Sequence, residues 1–196
     1  MIKVVKFGGS SLANAEQFKK VGSIVRAEKE RRYVVPSAPG KRFSADTKVT
    51  DLLYKCYGLA EADMDFTEVF SEIRSRYQEI IDGLSLDLNM DAHFEIVREN
   101  FLNKAGSDYA ASRGEYLNGI IMAAYLGFEF IDAADYITFH EDGTFDDVIT
   151  DRKLSKKLKQ TEYAVIPGFY GSKPDGSVIT FSRGGSDITG SLVARA

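Results

Sequence analysis

The sequence predicts an α/β protein built on a mostly parallel sheet, and three observations carry that prediction. Ile2 to Lys6 is an apolar, β-branched run without turn formers, and Tyr33-Val34-Val35 is a second such run. A single amphipathic helical segment separates them, with Val21, Ile24 and Val25 as its apolar stripe. Strand, helix and strand at that spacing form a βαβ unit, whose two strands must run parallel. Further along, short strand-like runs alternate with helix-period segments.

Taken in order, Asn14 is an N-cap candidate for a first helix running to about Arg31, with Glu28 to Arg32 solvated. Pro36 closes the second strand. Ser37 to Lys48 is polar and rich in Ser, Pro, Gly and Ala, which reads as a mobile loop. Thr50 is placed to cap the helix that contains Leu52, Leu53 and Leu59. Two amphipathic helices follow, near Phe66 to Ile81 and His93 to Asn103, so residues 51–103 read as a helical insertion over the sheet edge. Ser107 is placed to cap a helix over Asp108 to Leu126, whose second half is nearly continuous apolar surface. Gly127 suits the residue just past its end. Phe128 to Ile131 is the next strand. Tyr136 to Phe139 and Phe145 to Ile149 flank Asp142-Gly143 and predict a hairpin. Thr150 is placed to cap a basic helix ending near Gln160. Glu162 to Pro167 is a buried strand, and Asp175-Gly176 turns the chain into Ser177 to Phe181. A last helix opens at Asp187 and stops at Ala196 in mid-pattern, with Ile188, Leu192 and Val193 as its stripe. That ending leads us to expect the front part of a longer protein.

Composition narrows the function. The chain has 196 residues, 44% of them hydrophobic and 28% charged, enough for a substantial core. A formal net charge of -4 without a basic stripe argues against nucleic-acid binding. No apolar run approaches the roughly 20 residues that span a bilayer. The chain enters a strand at once, with no signal segment in front. The one cysteine, Cys56, excludes an internal disulfide, suits a reducing cytoplasm, and falls on the apolar face of its helix. His93 and His140 have no partner at metal-ligand spacing, so no protein-held metal site is expected.

Two Gly-Gly-Ser loops stand out. The first is Lys6-Phe7-Gly8-Gly9-Ser10-Ser11 and the second is Ser182-Arg183-Gly184-Gly185-Ser186-Asp187. Each follows a strand-like run. Paired glycines let backbone N–H groups converge on an anion, and a helix N-terminus adds a favourable dipole. The first is not the P-loop pattern, because its Lys precedes the glycines. Gly8, Gly9 and Ser10 can donate to phosphate while Lys6 supplies a point charge; the alternative is a glycine-rich turn with an exposed lysine. In the second, Arg183 can clamp a carboxylate in bidentate fashion and Asp187 can orient a lysine; the alternative is simple helix capping. In a parallel sheet both loops would emerge at the carboxyl ends of strands, on one edge. Glu115 sits mid-helix at the start of the apolar half, placed either to receive an ammonium group or as an ordinary surface residue.

These segments resemble the aspartokinases of the amino acid kinase family. Lys6 to Ser11 is similar to the family's Lys-Phe-Gly-Gly-Thr/Ser-Ser start, and Val34 to Ala38 to its second strand and Ser-Ala turn. Val49 to Leu53, Gly114-Glu115, Pro167 to Gly171 and Arg183 to Asp187 continue the match in family order. Ser182 stands where the family usually has Gly, and Pro36 stiffens the second strand's exit. The resemblance implies an α/β/α sandwich of three layers around a mostly parallel sheet. It implies transfer of the γ-phosphoryl group of ATP to the β-carboxylate of L-aspartate, the first step toward lysine, threonine and methionine, with Mg²⁺ shielding the nucleotide. It implies that Lys6 stabilises the transferring phosphoryl group, that Asp187 holds Lys6, and that Gly8, Gly9, Ser10 and Ser11 cradle ATP. Arg183 would take the aspartate α-carboxylate and Glu115 its ammonium. Thr50, Phe169, Gly185 and Ser186 would complete the pocket. A homo-oligomer is expected of the full-length protein. Residues 1–196 would be the N-terminal part of the catalytic domain, without the adenine-binding segment or the paired regulatory domains. On that basis the chain alone is expected to bind nucleotide poorly and to lack feedback control. The competing readings are a sister kinase acting on glutamate, N-acetylglutamate or a nucleotide, and an inactive substrate-binding fragment.

Overall fold

The computed structural model describes residues 1–182 and 184–196. Strands β1 (Lys3–Phe7) and β2 (Arg31–Pro36) flank helix α1 (Ala15–Arg26) and pair in parallel. Asn14 caps α1: its side-chain oxygen accepts from the Gln17 N–H at 3.0 Å. The helix ends at Arg26, short of the expected Arg31. Val25 is its last buried residue, and the backbone around Glu30 is already committed to β1 through the Lys3 N–H. Asn14→Ala is expected to cost about 1 kcal/mol of stability. A urea midpoint identical to wild type would contradict that role.

The helical insertion is as expected: α2 (Val49–Glu61), α3 (Thr67–Gly83) and α4 (Asp91–Leu102). Its interior is aromatic, with Phe66, Phe70, Phe94 and Phe101 meeting edge to face. Cys56 is buried there, and burial pushes its thiol up to about 12, so it is packing and not a nucleophile. Helix α5 (Ser107–Leu126) closes at Gly127, whose φ of 72° places it in the left-handed region, as the C-terminal glycine reading requires.

The remaining elements are β3 (Glu129–Phe130), α6 (Ala133–Tyr136), β4 (Thr138–Phe139), β5 (Phe145–Asp146), α7 (Asp147–Leu158), β6 (Ala164–Val165), β7 (Tyr170–Ser172), β8 (Val178–Thr180) and α8 (Gly185–Arg195). The predicted hairpin forms between β4 and β5. Helix α6 and strand β7 were not legible as elements. Asp132 caps α6 by accepting from the Ala134 N–H at 3.0 Å, and it also accepts from the Tyr170 hydroxyl at 2.7 Å.

Three capping assignments are corrected. Lys48 occupies the cap position of α2, and Thr50 lies inside its first turn. Gly106, with φ 99°, precedes α5, so Ser107 is its first residue. Asp146 caps α7 by accepting from the Ile149 N–H at 2.9 Å. Thr150 is buried instead and accepts from the Thr138 N–H at 2.9 Å. In that case the carboxylate at the strand's end reaches the helix N-terminus first.

One sheet has the order β1-β2-β6-β3 and is parallel throughout; a second, mixed sheet has the order β5-β4-β7-β8. Alternation along β2 sets two cores. Val34 faces the core built with α1 to α5, while Tyr33 and Val35 face the one that includes Leu154, Leu158, Leu192 and Val193 of α7 and α8. The parallel sheet therefore lies between two helical layers, the expected α/β/α sandwich. The loop from Ser37 to Lys48 has no regular structure, yet it is not free. Asp46 is buried against Arg76, and the Gly40 N–H donates to the Gly9 carbonyl at 2.8 Å.

Candidate functional site

The two Gly-Gly-Ser loops do meet, by a different route from the one expected. The second loop follows β8, which belongs to the mixed sheet and not to the β1 sheet. The loops converge because α8 packs on β1: a Cβ on Gly190 would lie 3.9 Å from the Lys6 Cβ. Asp187, in the first turn of α8, then ion-pairs with Lys6 at 3.1 Å. The Lys6 amine stands beside Gly8, 3.9 Å from where a Cβ would be. Gly8 precedes a 3₁₀ turn over Gly9–Leu12. Ser10 is exposed at that turn, whereas the Ser11 N–H is already spent on the Gly8 carbonyl at 3.0 Å. The backbone of Ser11 therefore has no free donor for a phosphate; Gly8, Gly9 and Ser10 remain.

Next to this loop lies an open cleft of about 460 Å³, lined by Gly9, Ser10, the 37–41 segment, Lys48, Thr50 and Glu115. Glu115 is 7% exposed, not a surface residue, and its Oε2 has no hydrogen-bond partner among the described residues. Burial lifts its carboxyl from an ordinary 4.5 to about 7, and the Ala38 amide beside it offsets only part of that rise. A buried carboxylate with one oxygen left unpaired at a cleft wall can receive a cation. Gly114 allows the approach: a Cβ there would lie 2.7 Å from the Ala38 Cβ and 3.7 Å from Thr50 Oγ1.

A second group sits where the segment between β6 and β7 passes the start of α8. A Cβ on Gly185 would fall 2.8 Å from the Phe169 Cα, and one on Gly168 2.8 Å from the Ser186 Cα. Phe169 itself has φ 86°, a strained conformation for a non-glycine residue. It is held by its N–H donating to Thr189 Oγ1 at 3.1 Å and its carbonyl accepting from the Phe181 N–H at 2.9 Å. Ser186 reaches the cleft wall through Ser37, Oγ to Oγ at 3.2 Å. Arg183 lies outside the described residues.

Sequence reasoning missed Asn118 and Gly40. Asn118 follows Glu115 at i+3 on α5, fully buried, and its Nδ2 donates to the Ser37 carbonyl at 2.7 Å. A polar residue repeating at helical spacing inside an apolar half-helix was the available signal. Gly40 contacts Gly9 backbone to backbone, and only the fold reveals that contact. Among the described residues no group of three or more His, Cys, Asp or Glu side chains is placed to hold a metal ion. No helix there is long and apolar enough to cross a membrane.

The sequence model of the amino acid kinase family matches residues 1–196. The chain belongs to that family. Aspartokinase 3 of Bacillus subtilis (strain 168) is 36% identical over 211 residues, covering 98% of this chain and 46% of that relative. The crystal structure of Clostridium acetobutylicum aspartate kinase superposes with a TM-score of 0.96 at 52% identity, over 98% of this chain and 45% of that one. E. coli aspartokinase III, solved in complex with lysine and aspartate, superposes with a TM-score of 0.77 at 25% identity, over 98% and 46%. The chain thus spans about half the length of the relatives it matches.

Proposed function

We propose that this chain carries the acceptor site and the phosphate loop of an aspartate kinase, which joins ATP and L-aspartate to give ADP and aspartyl phosphate. A β-carboxylate oxygen attacks the γ-phosphorus as the bond to the ADP oxygen breaks. Such a transfer asks the protein for alignment and charge neutralisation more than for covalent chemistry. The observation that carries the reading is the pair of opposite-sign sites on one edge. Lys6, steered by Asp187, serves the transferring phosphoryl group. The buried Glu115, whose Oε2 has no partner among the described residues, serves the ammonium of a free amino acid. Thr50 and Ser186 border the acceptor, with Phe169 and Gly185 fixing the entry to α8, and Arg183 is assigned the α-carboxylate. Gly8, Gly9 and Ser10 serve the nucleotide phosphates. The relatives support this, being aspartokinases by name, one of them solved with aspartate bound. Among the described residues no acidic cluster is placed to hold Mg²⁺, so the ion would be carried on the nucleotide phosphates.

We further propose that residues 1–196 form the N-terminal part of the catalytic domain of a cytoplasmic homo-oligomer. Its product would feed lysine, threonine and methionine synthesis. Trapping with hydroxylamine tests the reaction. Slow hydroxamate formation that depends on both L-aspartate and ATP, and that needs ATP in large excess because the chain alone is expected to bind nucleotide poorly, is the expected result. Hydroxamate from N-acetylglutamate but not from aspartate would favour the sister-kinase reading, because an acylated amine offers Glu115 no cation.

A further inference from the structure

We propose that Arg76, on α3 of the helical insertion, is a positioning residue for the acceptor cleft, clamping the 40–47 strap, whose first residues Gly40 and Lys41 line the cleft together with Glu115. The functional part of this rests on the aspartate-site reading above.

A guanidinium that is 2% exposed is costly unless its donors are satisfied. Those of Arg76 are spent on the strap. Its two terminal nitrogens donate to the Gly40 and Thr47 carbonyls, each at 2.9 Å, and it pairs with buried Asp46 at 3.3 Å. These acceptors bracket the strap. Arg42 grips the same carboxylate through Nε and Nη2, each at 3.0 Å, and reaches Glu79 on α3 at 2.8 Å. The strap's opposite side is seated on the phosphate loop. The Gly40 N–H donates to the Gly9 carbonyl, and a Cβ on Gly40 would lie 2.7 Å from the Gly9 carbonyl carbon. Two glycines are needed for that approach.

The neighbouring residue braces the other wall. Tyr77, fully buried, donates its hydroxyl to the Gly114 carbonyl at 2.8 Å, one residue before Glu115. Adjacent residues of one helix therefore hold the Gly9–Gly40 contact and the Glu115 segment in register. Only a forked, planar donor reaches Gly40 and Thr47 together; lysine at 76 keeps the charge against Asp46 but cannot bridge both carbonyls.

The test reads two quantities on the 196-residue chain: hydrogen exchange of the Gly40 amide by NMR, and L-aspartate affinity by calorimetry. Arg76→Met is expected to speed Gly40 exchange at least tenfold relative to the β2 amides and to weaken aspartate binding about tenfold. Added guanidinium at low millimolar concentration, but not urea, should restore part of the affinity. If the methionine variant does not fold, Arg76→Lys carries the same test, with both effects smaller. A folded Lys or Met variant with wild-type Gly40 exchange and wild-type affinity overturns the proposal. A general loss of stability that leaves Gly40 exchange in step with β2 overturns it as well. If wild type itself fails to bind aspartate, the functional reading falls, while the Gly40 exchange still decides whether Arg76 clamps the strap.

Discussion

Lys6→Met is expected to lower the rate of aspartyl phosphate formation by about 10²–10³-fold at saturating substrates, the usual loss when one preorganised charge donor is removed from developing anionic charge. The argument is positional. The Lys6 amine stands beside Gly8 and 3.1 Å from Asp187, at the edge of the loop formed by Gly8, Gly9 and Ser10. A methionine keeps most of the apolar stem, one atom shorter and without the charge, so folding should be preserved. Asp187→Asn should give a smaller loss in the same direction, because it frees the lysine without deleting it. A Lys6→Met variant that turns over at the wild-type rate would remove Lys6 from the chemistry.

Glu115→Gln should make the protein more stable and less able to bind its acceptor. The folded-state value near 7 lies above the ordinary 4.5, so the sign is fixed. Below pH 4.5 both states hold the proton and the residue contributes nothing. Between 4.5 and 7 the unfolded chain loses its proton first, and stability falls as pH rises. Above pH 7 the penalty is complete, on the order of 3 kcal/mol. Glutamine carries no charge to bury, so urea unfolding at pH 8 should show a gain of up to about that size, vanishing near pH 4. Loss of acceptor binding in the same variant would mark a trade of stability for function. A variant destabilised at pH 8 would contradict the burial argument.

Local signals were readable in the sequence, and tertiary ones only partly. The βαβ start, the helical insertion and the Gly127 terminus follow from periodicity and backbone preference within short windows. Lys6, Glu115 and the two glycine loops could be singled out because their residue types are unusual at those positions. The Gly9–Gly40 contact, the fork of Arg76 and the seat of Phe169 could not, because each depends on segments far apart in the chain. Caps failed where a competitor stood close by: Asp146 displaced Thr150, and Thr150 was taken up by β4. The loops were expected to meet as neighbouring strand ends; they meet through α8 instead, an arrangement that periodicity does not encode.

The central claim is that a buried carboxylate in this cleft receives the ammonium of a free dicarboxylic amino acid. Calorimetric titration of L-aspartate and of succinate into the chain from pH 6 to pH 8 tests it most directly. Only the ionised form of Glu115 accepts the ammonium, so aspartate binding should tighten about tenfold across that range. Succinate, with both carboxylates but no ammonium, should bind more weakly and without that gain. Equal affinities for the two ligands, or an aspartate affinity that does not change with pH, would contradict the account.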